Sequence, residues 1–136
     1  MTVNDPETLA AVTAAFARYE KALMENDLAT LDGLFWDSAH TLRYGVGENL
    51  YGIEAIREFR KNRPGGSPPR VLRNTVITTF GTDYATANTE FIRTPAAPAG
   101  APALTLPVGR QSQTWARLPE GWRIVCAHVS MVASFS

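Results

Sequence analysis

At His40 the spacing of apolar residues changes from helical to alternating, and that switch limits the chain to a helices-then-sheet architecture. Before it, Leu9, Val12, Phe16, Tyr19 and Leu23 recur at the three- and four-residue steps of one helix face. Asn4-Asp5-Pro6 supplies a polar cap with proline at the first helical position, and Asn26 suits the left-handed conformation that closes such a helix. Asp27 then caps a shorter helix through Leu28, Leu31 and Leu34. After the switch, Thr41 to Val46 alternates as a strand, Glu48 to Tyr51 returns, and Gly52 opens a third helix that ends at Pro64-Gly65-Gly66. Four strand-like runs follow at 70–80, 84–93, 109–117 and 122–132. Gly81-Thr82-Asp83 and Pro119-Glu120-Gly121 predict hairpin turns between neighbouring runs. The expected fold is therefore α+β, with a curved, mostly antiparallel sheet wrapped over a long N-terminal helix and a conical cavity between them. Residues 94–107, rich in proline and alanine, predict a flexible loop.

A chain of 136 residues is the size of one domain and buries about two-thirds of its unfolded surface. With 45% apolar and 19% charged residues it is expected to be neither a disordered tail nor a membrane span, and the acidic start lacks a signal pattern. Cys126 is the only cysteine, so no internal disulfide forms, and a reducing cytoplasm is the expected location. Thirteen bases balance thirteen acids, which argues against nucleic acid as a partner. The balance hides an asymmetry. Residues 1–40 carry seven acids and two bases, whereas residues 41–136 carry six acids and eleven bases, ten of them arginine. Arginine grips planar carboxylates with paired hydrogen bonds, so a small anionic substrate fits this composition, as do ordinary surface ion pairs.

Several side chains are candidates for chemistry. Tyr19 lies close to the apolar stripe of the first helix, where its phenol either orients a carbonyl or donates a proton, or bonds some backbone group at the core edge. Arg43 alternates with Leu42 and Tyr44, and periodicity leaves open whether it faces the cavity or solvent. In the run from Arg110 to Trp115, Arg110, Ser112 and Thr114 share one face and Gln111, Gln113 and Trp115 the other. On the last strand, alternation groups Trp122, Ile124, Cys126, His128 and Ser130; His128 is either a general base or a core histidine. His40 and His128 are 88 positions apart and Asp37 and Glu90 stand alone, so neither a metal nor another cofactor is expected. Phosphate-binding glycine motifs and a serine nucleophile elbow are also missing. Asp37 and Glu90 are the only carboxylates that suggest themselves as bases for a proton-shuttling isomerase.

The stretch from Leu34 to Pro64, with Leu34-Phe35-Trp36, Leu42-Arg43-Tyr44-Gly45, Glu48-Asn49-Leu50 and, further on, Gly109-Arg110-Gln111-Ser112-Gln113, resembles the AtzH-like family. This is a bacterial group within the nuclear-transport-factor-2-like and ketosteroid-isomerase-like cone fold, also described as cystatin-like, and it includes the oxalurate-catabolism protein HpxZ. The resemblance spans roughly residues 7–132. It implies a cone domain, catabolism of small nitrogen compounds beside an amidase partner, and conversion of 1,3-dicarboxyurea to allophanate or action on an oxalurate-type substrate. It also implies a catalytic pair, a first-helix tyrosine and a first-strand arginine, which fall on Tyr19 and Arg43 and turn Arg43 toward the cavity. Substrate contacts are then expected from Trp36, Arg110, Gln111, Gln113 and His128, with Arg110 taking a second carboxylate. A homodimer through the outer sheet face is expected by fold analogy, with Trp115 or Trp122 and residues 129–132 as contributors; the competing expectation is a non-catalytic binding or accessory module.

Overall fold

The computed structural model describes residues 1–94 and 108–132. The expected flexible loop at 94–107 therefore lies, except for Thr94, outside the described residues. Helix α1 (Pro6–Glu25) begins at Asp5, whose carboxylate accepts the Thr8 amide hydrogen at 3.1 Å, and ends at Asn26 with φ 53°. Both ends follow the capping chemistry read from the sequence. Helix α2 (Leu28–Leu34) is capped by Asp27 in the same way, and α3 spans Ile53–Lys61.

Strands β1 (Leu42–Tyr44), β2 (Asn49–Tyr51), β3 (Arg70–Phe80), β4 (Tyr84–Arg93), β5 (Val108–Leu118) and β6 (Gly121–Val132) form one sheet in the order β2-β1-β6-β5-β4-β3. All neighbours are antiparallel except β1 and β6. The four long strands match the predicted runs to within a residue or so at each end, whereas β1 is shorter than the alternation suggested. Two register shifts, at Arg73/Val76 on β3 and opposite Thr114/Trp115 on β6, bend the ladder and support its curvature.

The concave face holds the core. Val12, Phe16, Tyr19 and Leu23 of α1 pack with Ala85, Ala87, Trp115, Ile124 and Ala127 of the sheet, and Leu31, Leu34, Ile53 and Ile56 close the side. Small residues at 85, 87 and 127 let the long helix approach the sheet. Arg60, almost fully buried, donates to Asp32 at 2.9 Å and stacks on the Phe35 ring, tying α3 to α2. Trp115 is wholly buried and Trp122 packs partly against the core, which corrects the expectation that Trp115 helps form an outer association surface. Among the described residues no helix is long and apolar enough to cross a membrane.

Candidate functional site

The register fixes which side chains share a face. Ile77, Ala87, Gln113, Ala127 and Arg43 pair in one row across the sheet, and this row faces the helices. The next row, Val76, Asn88, Ser112, His128 and Tyr44, faces away. Arg43 is therefore on the concave side, which alternation alone did not decide.

There the C-terminal half of α1 and one end of the sheet enclose a hollow with about 380 Å3 of empty space, counting its mouth. Tyr19 and Leu23 come from the helix, Arg43 from β1, Val129 from β6, Gln111 from β5, Phe91 and Arg93 from β4, and Arg70 from β3. Arg63, Ser67 and Pro68 join from the segment between α3 and β3. A smaller recess of about 230 Å3 shares Tyr19, Leu23, Arg43 and Arg63 and runs toward Phe59 and Arg60. Glycine spacing makes room for this wall. Gly109 lies opposite Phe91, whose ring occupies the place a side chain at 109 would need. Gly66, at φ 72°, sits against the Asn26 side chain, so the segment carrying Arg63 and Ser67 docks on the end of α1.

Tyr19 is 3% exposed, yet its hydroxyl makes no hydrogen bond to any described residue, and the residue lines both the hollow and the recess. Arg43 donates to Glu48 at 2.8 Å and lies 5.5 Å from the centre of the Phe59 ring. Glu48 rests in the space left by Gly45, and the Gly47 amide donates to its other oxygen at 3.2 Å. The guanidinium is thus held in place by a fixed carboxylate. Arg70 is engaged more fully, with two bonds to Glu20, at 2.9 and 2.6 Å, and one to the Gln111 Oε1 at 3.1 Å. That leaves Gln111 Nε2 buried without a partner. Burial, with the nearby Arg43 and Arg60 cations, holds the Arg63 guanidinium below its usual range. The site concentrates positive charge and hydrogen-bond donors, the complement of a small anion.

Of the residues singled out from the sequence, Tyr19, Arg43 and Gln111 meet in this hollow. Gln113 faces the same side but is buried over the core, where its Oε1 accepts from Trp115 Nε1 at 3.1 Å. Trp36 stacks on His40, 6.1 Å between ring centres, away from the hollow. Arg110 is exposed on the outer face, where it pairs in register with Glu90, so it does not reach the place assigned to it. His128 is also exposed on that face, edge-on to Tyr44 at 5.7 Å. The β6 register shift explains this. Ile124 faces the core, but beyond the extra residue, Val125, the side chains of Cys126, His128 and Ser130 point outward, so the five residues grouped by strict alternation do not share a face. Asp37 is largely exposed beside Arg57, and Glu90 bonds Arg73 and Asn74 outside, so neither enters the hollow as a base.

The residues missed at the sequence level are Arg63, Arg70 and Arg93. Their signal was collective, the arginine excess after residue 40, and nothing local distinguished them from surface arginines.

The chain matches the model of a family described as AtzH-like over residues 1–134. It is similar to a crystal structure of a protein of unknown function from the DUF3225 family of Pectobacterium atrosepticum, with 58% identity, 96% of this chain and 95% of that one covered, and a TM-score of 0.87. A cystatin-like fold protein from Burkholderia xenovorans is 49% identical, with 98% of each chain covered and a TM-score of 0.87. A nuclear transport factor 2-like superfamily protein from Salmonella enterica shares the fold at 24% identity, with 96% and 93% covered and a TM-score of 0.67. No functionally curated protein matches the chain.

Proposed function

As the chain belongs to the AtzH-like family, we propose that it is a small-molecule catabolic enzyme of nitrogen metabolism, a decarboxylating amidohydrolase for a small carboxylated urea or an oxalurate-type substrate. The observation that carries this reading is the convergence of the Tyr19 phenol and the Arg43 guanidinium on one hollow rich in cationic donors. In this scheme Arg43 holds a substrate carboxylate in a partly desolvated pocket, where charge-assisted hydrogen bonds strengthen. Tyr19 bonds the urea carbonyl or delivers a proton to nitrogen as the N–C bond to the departing carboxyl group breaks. An N-carboxylated urea is intrinsically labile, so this chemistry needs no strong nucleophile. A homodimer, formed through the outer face of the sheet, and an amidase partner that consumes the product belong to the same proposal.

A second reading has an observation of its own. The described wall of the hollow presents no carboxylate or histidine to serve as a base, which suits a binding or accessory module for an amidase. It weighs equally against a proton-shuttling isomerase. Purified protein incubated with 1,3-dicarboxyurea or oxalurate, with carbon dioxide and ammonia followed over time, separates the readings. Release above the spontaneous rate, lost in Tyr19→Phe, supports the enzyme; ligand-induced stabilisation without turnover supports the module.

A further inference from the structure

We propose that Arg63 and Arg93 form a second oxyanion subsite in the hollow, so that one carboxylate of a small dicarboxylate sits on Arg43 and the other is taken by this pair. The inference rests on reading the hollow as an anion site and adds the residues and charge that set its selectivity.

The argument begins with an account of charge. Four arginines line the hollow. Arg70 is committed to Glu20 and Gln111, and Arg43 is paired with Glu48. Arg63 and Arg93 have no carboxylate partner among the described residues, and residues 95–107, which follow Arg93, contain no Asp or Glu. Two guanidinium charges therefore line the hollow with no carboxylate beside them among the described residues. Hydrogen bonding gives a second, independent indication. Arg63 Nε and Gln111 Nε2 are buried donors without acceptors, and a buried donor left unpaired costs about 1–3 kcal/mol. Arg63 and Arg43 also lie over the same Phe59 ring, 5.6 and 5.5 Å from its centre, so two like charges are held near one another. What the cluster lacks is acceptor oxygen and negative charge. Arg43 lies by Glu48 and the Phe59 ring while Arg93 lies by the Phe91 ring, so the cations stand on different walls of the hollow and two carboxylates match them better than a single anionic centre.

The test is calorimetric titration at constant ionic strength with malonate, acetate and inorganic phosphate. Wild-type protein is expected to bind malonate at least about tenfold more tightly than acetate or phosphate. Arg63→Gln and Arg93→Gln are expected to weaken malonate more than acetate, reducing the malonate-to-acetate ratio to within about threefold. Arg63→Lys guards against misfolding of the glutamine variant; it retains the charge but lacks the planar fork, and should reduce the ratio by at least about threefold. Arg110→Gln, on the outer face, should leave the ratio unchanged. A wild-type preference absent, equalled by phosphate, or surviving both glutamine substitutions overturns the subsite. Arg43→Gln separates this from the underlying reading. If it binds malonate as tightly as the wild type does, the Arg43 clamp is wrong whatever the Arg63 and Arg93 variants show.

Discussion

Lysine at position 43 keeps the charge and removes the planar pair of donors, so Arg43→Lys isolates the geometry of the clamp. Losing one charge-assisted hydrogen bond, about 1.5–3 kcal/mol, predicts a fall of about ten- to a hundredfold in kcat/KM on the carboxylated urea. Tyr19→Phe removes only the hydroxyl, which bonds no described residue, so thermal stability should hold while kcat falls. Undiminished turnover in steady-state assays of either variant contradicts the assigned role. At this scale the sequence was informative where a resemblance covered it and silent elsewhere. Tyr19 and Arg43 stood out from their places on helix and strand, and the resemblance gave them their roles. Arg63, Arg70 and Arg93 did not, because their meeting depends on the register of β3 and β4 and on the docking of the α3–β3 segment. Arg110 and His128 were misplaced for different reasons. Alternation says which residues share a face but not which face is concave, and one extra residue in β6 reverses parity beyond Ile124.

Elements place these residues through their ends and close contacts. Gly66 combines a positive φ with contact against Asn26, so Gly66→Ala must shift the segment that brings Arg63 and Ser67 to the hollow. Malonate affinity should drop several-fold in calorimetry with α1 still helical by circular dichroism; unchanged affinity argues that the segment does not position the site. The caps make a prediction about pH. Bonds from the Thr30 hydroxyl and amide hold the Asp27 carboxyl below its usual value of 3.8. A carboxyl depressed in the folded state stabilises above its unfolded pKa, and the benefit disappears as pH falls through the folded value. Melting curves of wild type and Asp27→Asn should therefore differ in pH dependence only from about 3.8 downward, the wild type losing ground with acid. Parallel curves contradict the cap. Helix starts and hairpin turns were legible because capping and turn chemistry is local. The register shifts were not, since no single residue type marks them.

The whole molecule divides its work between two sheet faces. The concave face carries an apolar core at its middle and gathers cationic donors at one end, against the C-terminal half of α1. The outer face carries His128, Tyr44 and Ser112 in one exposed or half-exposed row. The helices-then-sheet order followed from the change of period at His40, and the wrapped cone followed from burying one helix stripe against one sheet face. Composition suggested an anionic ligand in outline, because ten of the eleven bases after residue 40 are arginine, and four of those arginines line the hollow. The account stands on Tyr19 and Arg43 serving a common anion. The measurement closest to that claim is the crystal structure of the protein with malonate bound. It should show a carboxylate within hydrogen-bond distance of the Arg43 guanidinium and the molecule in contact with the Tyr19 hydroxyl. Density for malonate beside His128 on the outer face, with the hollow filled by water alone, would contradict it.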